Sequence, residues 1–260
     1  TANSYYKEFA TGEKIPNSIS FSSVYLGFNH SDEEMGFKKE NLFMFKTNAD
    51  QSKAFDDYAA LNTDEMLDED PPIIVITFPS ARNPHAQIRH PGQSTVHIFF
   101  AQEERWFDEW KDMTVKKRGD EYVELKEAVG HRVLEIFYRF YPEHKDKIDY
   151  IDYSTPATLQ YYLNHTGAYG LDHNYEHMHP LTMAKMRAKT DIPGLYLTGA
   201  DALMGSFIGA LFGGFFCAAA AIDRGPLGNV LLDLVNLHQQ LKKMAKAQGS
   251  DRCVPIYTKN

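Results

Sequence analysis

Residues 203–222 form a twenty-residue run in which Ser206 is the single polar side chain, and few folds can hold such a segment. About twenty apolar residues cross a bilayer, and Gly205, Gly209 and Gly213 repeat the small-xxx-small spacing of membrane helix contacts. The same glycines also let a soluble helix lie close to a strand or a ligand. A plain core helix without a ligand is the third reading. The residues upstream favour the soluble α/β reading. Gly194, Leu195, Tyr196, Leu197, Thr198, Gly199, Ala200 and Asp201 read as a buried strand over 195–198, a glycine turn and one acid. A helix that starts after such a turn offers free N–H groups and the positive end of its dipole to an electron-rich group, with Asp201 beside it as an acceptor.

The rest of the chain predicts α+β, with strands early and helices late. Strands are expected at 19–28, 42–46, 73–78, 94–101 and 147–153, and a short helix at 51–61. Residues 64–70 read as an acidic, solvated loop and 79–92 as a Pro- and His-containing loop. Val96, Ile98 and Phe100 alternate with Thr95, His97 and Phe99, which gives that strand two different faces. The strongest amphipathic helix covers 120–141, with Tyr122, Leu125, Val129, Val133, Ile136, Phe137 and Phe140 on its apolar stripe and Pro142 beyond its end. Thr155 and Pro156 read as an N-cap followed by proline at the first helical position. A last helix is expected over 227–246. The divisions read from these elements are 1–180, a substrate region; 181–226, a returning cofactor segment; 227–248, a helix; and 249–260, a tail.

A net charge of −8 argues against a nucleic-acid binder, and Lys116, Lys117 and Arg118 are too short a basic run to reverse that. Aromatic residues make up 13% of the chain, a load that suits a flat apolar ligand as well as a core. Cys217 and Cys253 do not indicate a disulfide framework. Asp172, His173, Glu176, His177 and His179 invite a metal reading, but nothing places His179 with the other two imidazoles, so no metal site is assigned. There is no G-x-S-x-G, and Ser206 has no evident base, which sets a hydrolase aside. The loop Gly167, Ala168, Tyr169, Gly170 carries one ring after Tyr161 and Tyr162. The chain opens on Thr1 and holds no G-x-G-x-x-G, so it reads as a segment of a longer protein.

Five motifs taken together are similar to one family. They are Phe78-Pro79-Ser80-Ala81-Arg82-Asn83-Pro84; His90-Pro91-Gly92-Gln93-Ser94-Thr95; Lys117-Arg118-Gly119-Asp120-Glu121-Tyr122; Tyr169-Gly170-Leu171-Asp172-His173; and the run 195–201 already described. In this order they resemble the carboxyl-terminal part of the all-trans-retinol 13,14-reductase (retinol saturase) family, related to phytoene desaturases and carotenoid isomerases. The resemblance extends from about residue 20 to 245. It implies an FAD-dependent two-domain oxidoreductase of which this chain carries the substrate-domain sheet, mixed or antiparallel, and the returning strand-helix segment of the FAD domain. It further implies saturation of a carbon-carbon double bond in a retinoid, NAD(P) as electron donor, and attachment to the endoplasmic reticulum membrane. Gly199, Asp201, Gly205, Ile208 and Gly209 would line the flavin. Tyr161, Tyr162, Tyr169 and the strand at Val96, Ile98 and Phe100 would border the polyene.

Tyr169 and His173 are the residues expected to supply the proton for the second alkene carbon, since either can donate near neutral pH when its pKa is tuned. Ala200 replaces a Gln of the retinol-saturating proteins, and 164–167 lacks their Pro-Arg. Both departures leave the substrate open between a retinoid and another polyene. Two rivals stand beside this reading: a carotenoid desaturase or isomerase with the same flavin residues, and a non-catalytic protein anchored by residues 203–222.

Overall fold

The computed structural model describes residues 18–46, 50–164, 167–168, 170–172, 178–180, 182, 186–190, 192–222, 236, 239–240 and 243. The chain divides between Gly170 and Leu171 into two compact units. The expected helix over 227–246 and the tail lie almost wholly outside the described residues.

The first unit is a five-stranded antiparallel sheet in the order β2-β3-β4-β1-β5, made of β1 (Ser20–Phe28), β2 (Leu42–Phe45), β3 (Ile73–Thr77), β4 (Ser94–Gln102) and β5 (Ile148–Ser154). The α+β class and the five strands match the pattern of apolar runs. Because side chains alternate along a strand, one set faces the core: Val24, Leu26 and Phe28 on β1, Ile74 and Ile76 on β3, and Val96, Ile98 and Phe100 on β4. Each such side chain fully buried contributes about 1.5–3 kcal/mol.

The helix Asp120–Phe140 belongs to the same core as this face, burying Tyr122, Leu125, Val129, Val133, Ile136 and Phe137. Asp120 and Glu121 in its first turn and Arg139 in its last complement the dipole. Gly130 lies on the buried stripe because a Cβ there would run into the Tyr153 ring of β5. Phe140, expected on that stripe, is 56% exposed. Phe140 is the last residue of the helix, before the C-cap Tyr141, and lies beyond its buried stripe.

Two expected loops are helical. Thr63–Asp68 is a helix held by a reciprocal cap, in which the Glu65 N–H donates to Asn62 and the Asn62 N–H donates to the Glu65 carboxylate. Two of the acids that suggested a solvated loop, Asp64 and Glu65, sit in the first turn, where the dipole favours them. The 79–92 loop contains single turns at Pro79–Arg82 and Ala86–Arg89. Thr155 caps Pro156–Leu163 as expected.

In the second unit the strand expected at 195–198 is replaced by an isolated bridge between Tyr196 and Lys189. A strand needs a neighbour along its whole length to satisfy its backbone groups. Here the Leu197 N–H donates to Ala188, and the Thr190 hydroxyl donates to the Leu195 carbonyl. The apolar run forms the helix Ser206–Ala221, with Gly205 as its N-cap. At 1.5 Å per residue it is about 24 Å long, and no helix among the described residues is long and apolar enough to cross a membrane.

Candidate functional site

Two surfaces carry the candidate residues. The first is the sheet face opposite the long helix. Register places Phe43, Val75, Phe99, Ser23 and Ser154 in one row across it, and Thr77, His97, Tyr25 and Asp152 in the next. Phe43 is 59% exposed and Tyr25 40%. The His97 ring stacks on Tyr25 at 4.7 Å with the planes 4° apart, and Phe99 packs edge-on to Phe21. Burial holds the His97 imidazole below its ordinary pKa, and its Nε2 is buried without a hydrogen-bond partner. This face is a half-open aromatic surface with one histidine at its centre.

Val96, Ile98 and Phe100, expected to border a ligand, point the other way and are closed inside the core. Shifting by one residue along a strand changes face, so Thr95, His97 and Phe99 lie on the other side, Thr95 exposed and His97 and Phe99 half-buried. Tyr161 and Tyr162 are exposed on Pro156–Leu163, their rings 5.1 Å apart and perpendicular. Tyr169 and His173 lie outside the described residues, as do Glu176 and His177.

The second surface is the turn before the glycine-rich helix. Gly199 holds φ +94°, a region open to glycine, and reverses the chain into Asp201. The Leu171 N–H donates to Asp201 Oδ1 at 2.9 Å. No side chain caps the helix at Gly205. Gly213 lies against the Gly199 backbone and Gly209 against the Met204 carbonyl, so both glycines are buried by the turn itself. Around them the helix is less covered than a core helix: Phe207 is 77% exposed and Ile208 51%. The backbone contacts that its glycines allow cover a single narrow stripe of the helix.

No protein-family model matches the chain. The all-trans-retinol 13,14-reductase of Danio rerio is 34% identical over 226 residues, 86% of this chain and 35% of that protein. The Rattus norvegicus protein of the same name is 32% identical, covering 89% of this chain and 37% of its own length. A Danio rerio protein described as an inactive all-trans-retinol 13,14-reductase is 30% identical, over 78% of this chain and 33% of that one. The chain spans about a third of the length of these relatives. It is a homologue of the all-trans-retinol 13,14-reductase family, matched in one segment of that length.

Proposed function

We propose that this chain is part of an FAD-dependent oxidoreductase, driven by NAD(P), that saturates a carbon-carbon double bond of a retinoid at the endoplasmic reticulum membrane. The observation that carries the reading is the half-open aromatic face of the sheet, in a chain whose similarity to retinol 13,14-reductases covers most of its length. A polyene is flat and apolar, and rings such as Tyr25, Phe43 and Phe99 give it contact area without polar groups that would need partners.

The residues of the second surface fit a flavin. The helix start has no side-chain cap, Asp201 keeps a second carboxylate oxygen beside the one bonded to Leu171, and Ile208 is half exposed. Gly199, Asp201, Gly205 and Ile208 would hold the group, with Gly209 supporting the turn from beneath. When bound, the flavin supplies the two-electron chemistry. The aromatic face orients the polyene and excludes water. A proton for the second carbon is held by Tyr169 or His173, or by His97, the described imidazole on that face.

The test is anaerobic. FAD-loaded protein containing this chain, reduced with NADPH, is mixed with all-trans-retinol, and the products are separated and weighed. A product two hydrogens heavier than retinol supports the reading. Retinol returned unchanged, while a longer carotenoid is desaturated or isomerised, moves the assignment to the rival branch.

A further inference from the structure

A cavity lies in the first unit. It has a volume of about 910 Å³ and lies between the loop before the long helix, strand β5 and the helix Pro156–Leu163. That is the size of a small-molecule site. Its charge runs against that of the chain. Lys116, Lys117, Arg118 and Lys126 line it against two acids, Asp120 and Asp152, in a protein of net charge −8.

Arg118 is the informative member. It is 5% exposed, and among the described residues no carboxylate is bonded to it: Nη1 donates to the Tyr122 hydroxyl at 2.9 Å, Nη2 to the Ala157 carbonyl at 2.7 Å, and Nε has no hydrogen-bond partner. The guanidinium lies over the Tyr122 ring at 4.8 Å. A buried cation normally has a counter-charge, because desolvation is expensive without one. Here neutral oxygens and a ring hold it, and the positive charge is left for the cavity that it lines. The long helix begins at the same place, with Gly119 as an N-cap that offers no side-chain hydrogen bond. Its dipole adds to the positive field there, opposed in part by Asp120 and Glu121.

We propose that this cavity binds the phosphate group of a nucleotide-sized ligand. Phosphate is favoured over carboxylate because Lys116, Lys117 and Lys126 beside Arg118 gather several positive point charges, which suits a group that carries close to two negative charges better than one that carries a single charge. Tyr25 and Tyr162 line the cavity as well, both exposed, and supply flat faces for a base. The inference uses none of the residues assigned to the flavin, and it shares Tyr25 with the face proposed for the polyene.

The experiment is calorimetric titration of the 260-residue chain with pyrophosphate, ADP and decanoate at low salt. Pyrophosphate and ADP are expected to bind, ADP more tightly, and both to weaken as salt rises. Lys116→Asn, Lys117→Gln and Lys126→Gln together should weaken both by about tenfold, because each removes one exposed charge contact. These positions lie at the surface or partly buried, and Asn tolerates the positive φ of residue 116, so the fold should survive; circular dichroism checks it. Arg118→Lys is the second variant and should also weaken binding. Absence of pyrophosphate and ADP binding, or binding unchanged in the triple variant, overturns the proposal. Decanoate binding in their place overturns the phosphate assignment.

Discussion

Two adjacent glycines in the helix Ser206–Ala221 should respond to the same substitution with opposite signs. Alanine at 213 would place a Cβ well inside contact distance of the Gly199 carbonyl oxygen, and 3.0 and 3.2 Å from the Gly199 N and C atoms. These are backbone atoms of a tight turn, so they cannot swing aside as the tip of a side chain could. Overpacking of this kind costs about 1–3 kcal/mol. Alanine gains about 1 kcal/mol over glycine in a helix interior. The balance for Gly213→Ala is a loss of about 1 kcal/mol. At Gly214 no described atom lies within 4 Å of the added Cβ, so only the gain remains, about 1 kcal/mol. Hydrogen exchange of the peptide over 206–221 reads both, independently of how the first unit unfolds. Exchange should be about fivefold faster than wild type in Gly213→Ala and about fivefold slower in Gly214→Ala. Equal protection in the two variants would refute the claim that the helix is seated on the Gly199 turn through Gly213.

Three further outcomes are expected. Ser206 holds φ +93° without being glycine, so Ser206→Gly should stabilise the helix start by about 1 kcal/mol, seen as slower exchange of the same peptide. Asp201→Ala leaves the N–H of buried Leu171 without its acceptor and should cost about 1.5–3 kcal/mol locally, with FAD affinity falling at least tenfold in an equilibrium titration; unchanged affinity would separate Asp201 from the cofactor. Burial depresses the His97 pKa, so the unfolded chain takes the proton more readily and stability must fall as pH drops through the histidine range. Urea unfolding between about pH 5 and 7 should show that slope, and His97→Phe should flatten it.

The strands were legible because each is a short apolar run bounded by turn residues, and the long helix because its apolar stripe persists for five turns. What the sequence could not supply was the side of the sheet that stays open. Val96, Ile98 and Phe100 are the more apolar set on β4, and that is why they are in the core; the neighbouring set with His97 lies on the half-open face. The helix at Thr63–Asp68 was readable from Asn62 and Glu65, whose spacing marks a reciprocal cap, but the acidic composition drew attention away from it. The strand at 195–198 misled for another reason. Its residues favour extended backbone, yet a strand is completed by its neighbours, and among the described residues only Lys189 pairs with it. Arg118 gave no signal as part of a short basic run, because its burial and lack of a carboxylate are properties of the fold.

Strands β2 and β5 are the two margins of the sheet, and each presents backbone groups that another chain could pair with. β2 limits this by being four residues long. β5 has seven residues and exposes Tyr150 and Ile151, which makes it the more adhesive margin. Asp149 and Asp152 interrupt it. Asp149 accepts from the Asn29 N–H and Asp152 from the Tyr153 N–H, so their charges are fixed beside the strand. A like-charged margin repels its own copy, and this keeps molecules from stacking through β5. Removing those two charges would therefore leave the folded unit largely intact while turning the β5 margin into a template for its own polymerisation.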